Sequence, residues 1–279
     1  MIKHLLEYFL LKFFFIILNL LPINIASSIG GFLGKTIGPK LKANKTAKNN
    51  FNIAFPNKSN KEIEENILQM WENFGRTVAE YPFLHFFSRS NKRITIEGLE
   101  NLTKKNSKNA IIFSGHFANW EVMATVIANI SNLALIYRAP NNPLVDKMIR
   151  DYRNIISLDQ IRKGPQGSRE IIEFIKKGTN LGMLVDQKQN DGISIPFFGK
   201  NAMTSSAIAK LSLKYKLSLI PVSIERISGT NFHIKIHDEL EINDQKDDVI
   251  TIMNKVNNFL EKSIIKNPSQ WLWMHKRWN

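Results

Sequence analysis

The chain has 279 residues, 43% of them hydrophobic, enough to bury a full core as one domain with an N-terminal appendage. It holds no cysteine, which excludes a thiolate nucleophile, a cysteine zinc site and a disulfide framework, and fits a reducing compartment. A net charge of +14, from 38 basic and 24 acidic residues, implies an anionic partner: nucleic acid, a phospholipid surface, or an acidic or phosphorylated substrate.

That charge is uneven. Residues 1–60 contain eight lysines and one acid, about half of the excess. The same stretch holds the most apolar segment, Leu5 to Leu21, where only Glu7 and Lys12 are charged. Its 17 residues lie at the short end for a spanning helix, which takes about 20 residues. A cleaved signal peptide fits poorly, because those two charges break the apolar block and no Ala-x-Ala-like site closely follows Pro22. We read residues 1–22 as an uncleaved membrane anchor, spanning or lying in the interface, and residues 23–279 as the body. Five lysines between 35 and 48 would hold the body on the cytoplasmic side by the positive-inside tendency. A helix buried in a soluble core is the alternative.

Further along, Ser28-Ile-Gly-Gly-Phe-Leu-Gly34 reads as a small-residue break. Ser59-Asn-Lys-Glu62 has capping-box spacing and opens an amphipathic helix with Ile63, Ile67, Trp71, Phe74 and Val78 on one face, ended or kinked at Pro82. From residue 93, short apolar runs alternate with helical patterns. Strands are expected at Arg93–Glu97, Ala110–Ser114, Leu133–Tyr137, Leu181–Val185, Leu217–Ile224 and Phe232–Ile236. Helices fall between them at Trp120–Ile130, Leu144–Ile156, Arg169–Lys177 and Ser205–Tyr215, with a last one over about 248–265. This alternation predicts a single-domain α/β sandwich around a largely parallel sheet.

The most informative stretch is Ser114-Gly-His-Phe-Ala-Asn-Trp-Glu121, at a strand-to-helix junction. On one continuous helix, positions five apart point about 140° away from each other. At a junction His116 sits in the turn, and Glu121 comes round from the first helical turn to meet its ring. A carboxylate on one imidazole nitrogen fixes the tautomer and raises the basicity of the other, as a general base needs. A capping histidine beside a solvated glutamate is the bland alternative.

A strand followed by His-x4-acid resembles the signature of the glycerolipid acyltransferase superfamily. Around it, in order, stand Ile96-Glu-Gly-Leu-Glu-Asn101, Tyr137-Arg138, Asn141-Asn142-Pro143, Asp186-Gln187, Ile195-Pro-Phe-Phe-Gly199 and Pro268-Ser-Gln-Trp-Leu-Trp-Met-His-Lys-Arg277. These blocks span nearly the whole chain and are similar to the lipid A biosynthesis late acyltransferases, the lauroyl and myristoyl transferases of Gram-negative bacteria. The resemblance implies transfer of an acyl chain from acyl carrier protein to a hydroxyl of a Kdo-bearing lipid A precursor. It also implies the cytoplasmic side of an inner membrane, with no cofactor and no nucleic acid. Its rivals are an acyl-CoA-dependent acyltransferase for another glycolipid or a lysophospholipid, a membrane-tethered nucleic-acid binder, and an inactive scaffold of the same fold.

Without cysteine or a Gly-x-Ser-x-Gly elbow, direct attack is favoured over an acyl-enzyme. His116 would take the acceptor proton and Glu121 stabilise the imidazolium. Arg138, at a strand end, and Arg162, in the basic turn Arg162-Lys-Gly-Pro165, are candidates to grip phosphate. Asp186 and Gln187 hold a substrate hydroxyl, brace Arg138, or cap a loop. In the resemblance Pro196, Phe197, Phe198 and Gly199 line the acyl channel; ordinary core is the alternative for the aromatic pair. His233 and His237 are not a metal pair, since positions four apart on a strand are about 13 Å apart. The tail carries Trp271, Trp273 and Trp278 beside His275, Lys276 and Arg277. That mix suits a lipid headgroup interface, which the resemblance favours; single-stranded nucleic-acid stacking and plain packing on the body are the alternatives.

Overall fold

A computed structural model describes residues 1–278 except 90–91, 104–108, 155, 157 and 244. The N-terminal 89 residues are helical: α1 (Ile2–Asn19), α2 (Ile23–Ile37), α3 (Lys42–Ala54), α4 (Asn60–Glu80) and, after a short 3-10 turn at Pro82, α5 (Leu84–Arg89). The Ser59–Glu62 capping box is formed in both directions and starts α4 where expected.

From β1 (Ile94–Glu97) onward the chain alternates: α6 (Glu100–Thr103), β2 (Ala110–Ser114), α7 (Trp120–Ile130), β3 (Leu133–Tyr137), α8 (Pro143–Asn154), β4 (Asp159–Arg162), α9 (Pro165–Lys176) and β5 (Asn180–Leu184). A hairpin of β6 (Lys188–Phe197) and β7 (Lys200–Thr204) follows, then α10 (Ala207–Tyr215), β8 (Ser218–Ser228), β9 (Asn231–Ile236) and α11 (Val249–Lys266). Seven strands form one sheet in the order β1-β9-β8-β2-β5-β3-β4. Every pair in it is parallel except β8–β9. The predicted α/β architecture is therefore observed. All five residues of β2 are buried, as a strand covered on both faces must be. On one face Phe113 meets Phe259 of α11 edge-on, with ring centres 5.5 Å apart.

Three expectations about elements are corrected. Residues 28–34 are not a break but the middle of α2, because the glycines let α2 and α4 touch. A Cβ at Gly75 would collide with the carbonyl of Gly30, and one at Gly34 with the carbonyl of Trp71. The strand β4 and the hairpin were not expected. β4 is short and polar, and the hairpin carries Asn190, Asp191 and Gly192 inside β6. α9 begins earlier than expected, with Pro165 in its first turn.

The segment 1–22 packs on the body through one side of α1. Phe15 and Leu18 are buried, and Phe15 stacks on Tyr81 and meets Tyr152 edge-on. The opposite side of α1 presents Phe9, Leu10 and Phe13, each about 60% exposed, and α2 exposes Ile25, Ile29 and Phe32. Among the described residues no helix is long and apolar enough to cross a membrane.

Gly75→Ala tests the helix contact. At an open helical site this change adds roughly 0.5–1 kcal/mol of stability. Here the collision with Gly30 reverses the sign, and we expect a loss of about 1–3 kcal/mol in a denaturant titration. A gain would mean the two helices yield without cost.

Candidate active site

Strands β2, β5 and β3 are neighbours, and their C-terminal ends deliver His116, Asp186 with Gln187, and Arg138 to one edge of the sheet. Ligand groups collect at that edge in open parallel sheets. Register does the aligning: Ser114 lies opposite Leu184, and Val185 N donates to Ser114 O at 3.0 Å, so Asp186 arrives beside the turn after β2.

His116 Nδ1 lies 2.7 Å from Asp186 Oδ1. The His116 backbone N–H donates to Asp186 Oδ2 at 2.8 Å, and Trp271 Nε1 donates to the same oxygen at 2.7 Å. Asp186 is only 3% exposed. Burial opposes its charge, but His116 and these donors outweigh that and hold the carboxyl far below its ordinary range. In the neutral ring a charged Asp186 keeps the hydrogen on Nδ1 and leaves Nε2 as an acceptor. Gln187 Nε2 stands 3.3 Å from that nitrogen and 3.0 Å from Nε2 of His275, so its two amide hydrogens reach both rings. Desolvation, then the neighbouring His116, lowers the His275 pKa to about 4, so this ring is neutral at pH 7.

The turn is held from several sides. Ala118 adopts φ +41°, a left-handed conformation that alanine disfavours. Its N–H donates to Gln270 O at 2.8 Å, and Leu272 N–H donates to His116 O at 3.1 Å, so the C-terminal tail pairs with the turn like a short strand. Asn119 caps α7, its Oδ1 accepting from the N–H groups of Glu121 and Val122.

Glu121 is not the partner of His116, which corrects the expected dyad. Its carboxylate, 3% exposed, takes the fork of Arg153 from the end of α8, with Nε at 2.9 Å and Nη2 at 2.6 Å. Burial works against that charge, yet Arg153, with the Tyr81 hydroxyl, still holds the carboxyl below its usual range. Once Asp186 occupies Nδ1, a buried guanidinium is the stronger claimant for Glu121. Glu121 remains in the cavity wall.

A cavity of about 480 Å³ opens beside His116. It runs between one face of α7 (Met123, Ala124, Ile127) and the strands below (Ile112, Leu135, Gly182), so its interior is apolar. Gly182 makes room for it: a Cβ there would press on Leu135 and Leu133 at 3.1 and 3.3 Å. The polar wall and rim are formed by His116, Glu121, Arg138, Arg153, Lys163 and Gln187, joined by His275.

The other candidates sort as follows. Arg138 is exposed and lines the cavity; Arg162 is exposed on β4 and does not, its place taken by Lys163. Pro196–Gly199 lies outside the cavity, contrary to the acyl-channel expectation. Phe198 and Gly199, at φ +50° and +70°, make a two-residue turn between Phe197 and Lys200. Phe197 is buried against Trp271, Trp278 and the Arg277 guanidinium. The tail tryptophans are buried too, at 3%, 0% and 4% exposure for Trp271, Trp273 and Trp278, so packing rather than a headgroup interface accounts for them. Sequence reasoning missed His275 as a site residue and missed Asp186 as the partner of His116. Both depend on strand order and on the returning tail, which no local motif reports.

An ordered imidazole beside an apolar cavity is an arrangement that can deprotonate a hydroxyl next to a bound hydrocarbon. The chain belongs to the bacterial lipid A biosynthesis acyltransferase family, whose profile matches residues 1–279, and it is an acyltransferase. It is similar to the lipid A biosynthesis palmitoleoyltransferase of Escherichia coli (strain K12), 27% identical over 267 residues, covering 92% of this chain and 86% of that one. The lipid A biosynthesis lauroyltransferase of the same strain is 24% identical over 270 residues, with the same coverage of 92% and 86%. Among solved structures, the 1-acyl-sn-glycerophosphate acyltransferase of Thermotoga maritima is similar at TM-score 0.43 and 16% identity, covering 89% of this chain and 97% of that one. That likeness is too distant to carry an argument.

Two variants separate the carboxylates. Asp186→Asn is expected to lower kcat about 10²–10⁴-fold with the fold intact, because an amide orients the ring in the wrong tautomer. Glu121→Gln should mainly destabilise, by the ~3–5 kcal/mol range of a broken buried pair, leaving the folded fraction within about tenfold of wild-type turnover. The reverse ranking in turnover would restore Glu121 as the histidine's partner.

Proposed function

We propose that this acyltransferase moves a fatty acyl chain from acyl carrier protein to a hydroxyl of a Kdo-bearing lipid A precursor, at the cytoplasmic surface of a bacterial inner membrane. The observation that carries the reading is the His116–Asp186 pair opening on an apolar cavity whose rim is cationic. In the proposed step Asp186 holds Nδ1–H, and His116 Nε2 takes the acceptor hydroxyl proton as the oxygen attacks the thioester carbon. The C–S bond then breaks, and the departing sulfur receives the proton back from the imidazolium. A thiol with a pKa near ~8.5 leaves with little acid assistance. Arg138 and Lys163, the exposed rim cations, fit the phosphates of the acceptor. The acyl tail fits the space between α7 and the sheet, within the ~300–1,000 Å³ typical of ligand pockets.

Membrane attachment is proposed through the exposed apolar sides of α1 and α2, lying in the interface rather than crossing it, with Lys35, Lys40, Lys42 and Lys45 beside anionic headgroups. α1 also reaches the residue after the rim's Asn141: Asn142 Nδ2 donates to His4 O at 2.9 Å and to the Glu7 carboxylate at 3.0 Å. A lipid acceptor in that interface would thus lie close to Arg138.

The test is incubation of purified protein with lauroyl- or palmitoleoyl-acyl carrier protein and tetra-acylated precursor, followed by mass spectrometry. Wild type should add one acyl mass, and His116→Ala should retain less than a few per cent of that turnover. Transfer only from acyl-CoA, or only to a lysophospholipid, would contradict the substrate assignment. Arg138→Ala should raise the acceptor KM roughly tenfold, Arg138→Lys less, since lysine keeps the charge but not the fork. Equal KM for all three would move phosphate binding to Lys163. Replacing Phe9 and Phe13 by glutamate should release the protein from vesicles containing anionic lipid.

A further inference from the structure

Glu80, the last residue of α4, is fully buried and does not line the cavity. Its Oε1 accepts from Ser27 Oγ and Arg226 Nη1, both at 2.6 Å. Its Oε2 accepts from Asn119 Nδ2 at 2.6 Å and Arg226 Nη2 at 3.0 Å. Arg226, on β8, carries the network further. Its Nε donates to Asn73 Oδ1 at 2.8 Å, and Asn73 Nδ2 donates to Ala118 O at 2.9 Å, where Thr77 Oγ1 donates as well at 3.0 Å. Gln270 closes the loop: its side chain bonds both main-chain groups of Arg226, and its carbonyl receives Ala118 N–H.

The far ends of these bonds converge on one place. Both main-chain polar groups of Ala118 and the amide of Asn119 are tied, directly or through one residue, to Glu80 and Arg226. Ala118 and Asn119 lie in the turn after His116, and Ala118 has the disfavoured positive φ. Such a conformation persists only where its surroundings over-determine it. Stability alone does not call for a buried ion pair, since apolar replacements of similar volume are often neutral or better.

We propose that Glu80 is a positioning residue for acyl transfer: through its bond to Asn119 it fixes the turn so that His116 presents Nε2 to the cavity. Ser27 brings α2, whose other side is the exposed apolar surface, to the same carboxylate. The inference rests on His116 being the base, and the test separates the two.

Wild type, His116→Ala, Glu80→Gln, Asn119→Ser and the Glu80→Gln/Asn119→Ser double variant are compared in detergent with the acyl donor and precursor that support wild-type turnover. Asn119→Ser keeps a side-chain oxygen to cap α7 but has no amide for Glu80. We expect folded Asn119→Ser and Glu80→Gln to lose kcat about 10–100-fold while both KM values stay within about twofold, the signature of a misplaced base rather than a lost binding contact. The double variant should be little worse than either single one, because all three remove the same tie. Should Glu80→Gln fail to fold, Asn119→Ser decides alone. Wild-type kcat in folded Asn119→Ser, with His116→Ala inactive, would overturn the positioning role and leave the base assignment standing. Turnover in His116→Ala would overturn both.

Discussion

A carboxylate taken out of water must be repaid in hydrogen bonds or give up its charge, and Asp186 is the group on which this site turns. Three N–H donors meet it, two from His116 and one from Trp271, so three distant parts of the chain have to agree on one position. β5 must pair with β2 in register to bring it to the turn, and the tail must return across the sheet edge to supply the indole. The reward is a histidine of defined tautomer at the mouth of an apolar cavity. The tail is therefore part of the site. Asn50 of α3 donates to the carbonyls of Trp273 and His275, at 2.8 and 2.5 Å, and fastens it from the helical layer.

Two buried ion pairs flank the same turn, with different consequences. Glu121–Arg153 joins the start of α7 to the end of α8 and stiffens the cavity wall, leaving the guanidinium over the Tyr137 ring at 5.4 Å. Glu80–Arg226 joins α4 to β8 and sends its remaining bonds to Ala118 and Asn119. In a low-dielectric interior neither pair is a strong source of net stability, since desolvation offsets most of the attraction. What they do supply is geometry. The helical layer that carries the exposed apolar surface is thereby connected to the turn through Ser27, Asn73 and Thr77.

Much of the fold was legible because its signals are local. β2 and β3 are continuous apolar runs, α7 has helical spacing, and Ser59 with Glu62 makes a capping box; each lies where periodicity placed it. α2 misled because three glycines within five residues imply a break, whereas here they allow close helix packing. In the site, the gathering of His116, Asp186, Gln187 and Arg138 at one edge of the sheet was readable from polar residues at strand ends. The partner of His116 was not. Sequence spacing favoured Glu121, but the choice between two carboxylates depends on which strand lies beside β2 and on the presence of Arg153 thirty-two residues away. The aromatic hairpin tip and the tryptophan tail were ambiguous for a related reason: aromatic composition looks alike whether rings face lipid, line a channel, or pack on one another.

The central claim is that Asp186 holds the Nδ1 hydrogen of His116. The most direct measurement is the proton NMR spectrum of ¹⁵N-histidine-labelled protein in detergent at neutral pH. A hydrogen held between a ring nitrogen and a buried carboxylate exchanges slowly and resonates far downfield. It should be seen in wild type and in folded Glu121→Gln, and vanish in Asp186→Asn and His116→Ala. A downfield resonance that survives Asp186→Asn and disappears in folded Glu121→Gln would contradict the account.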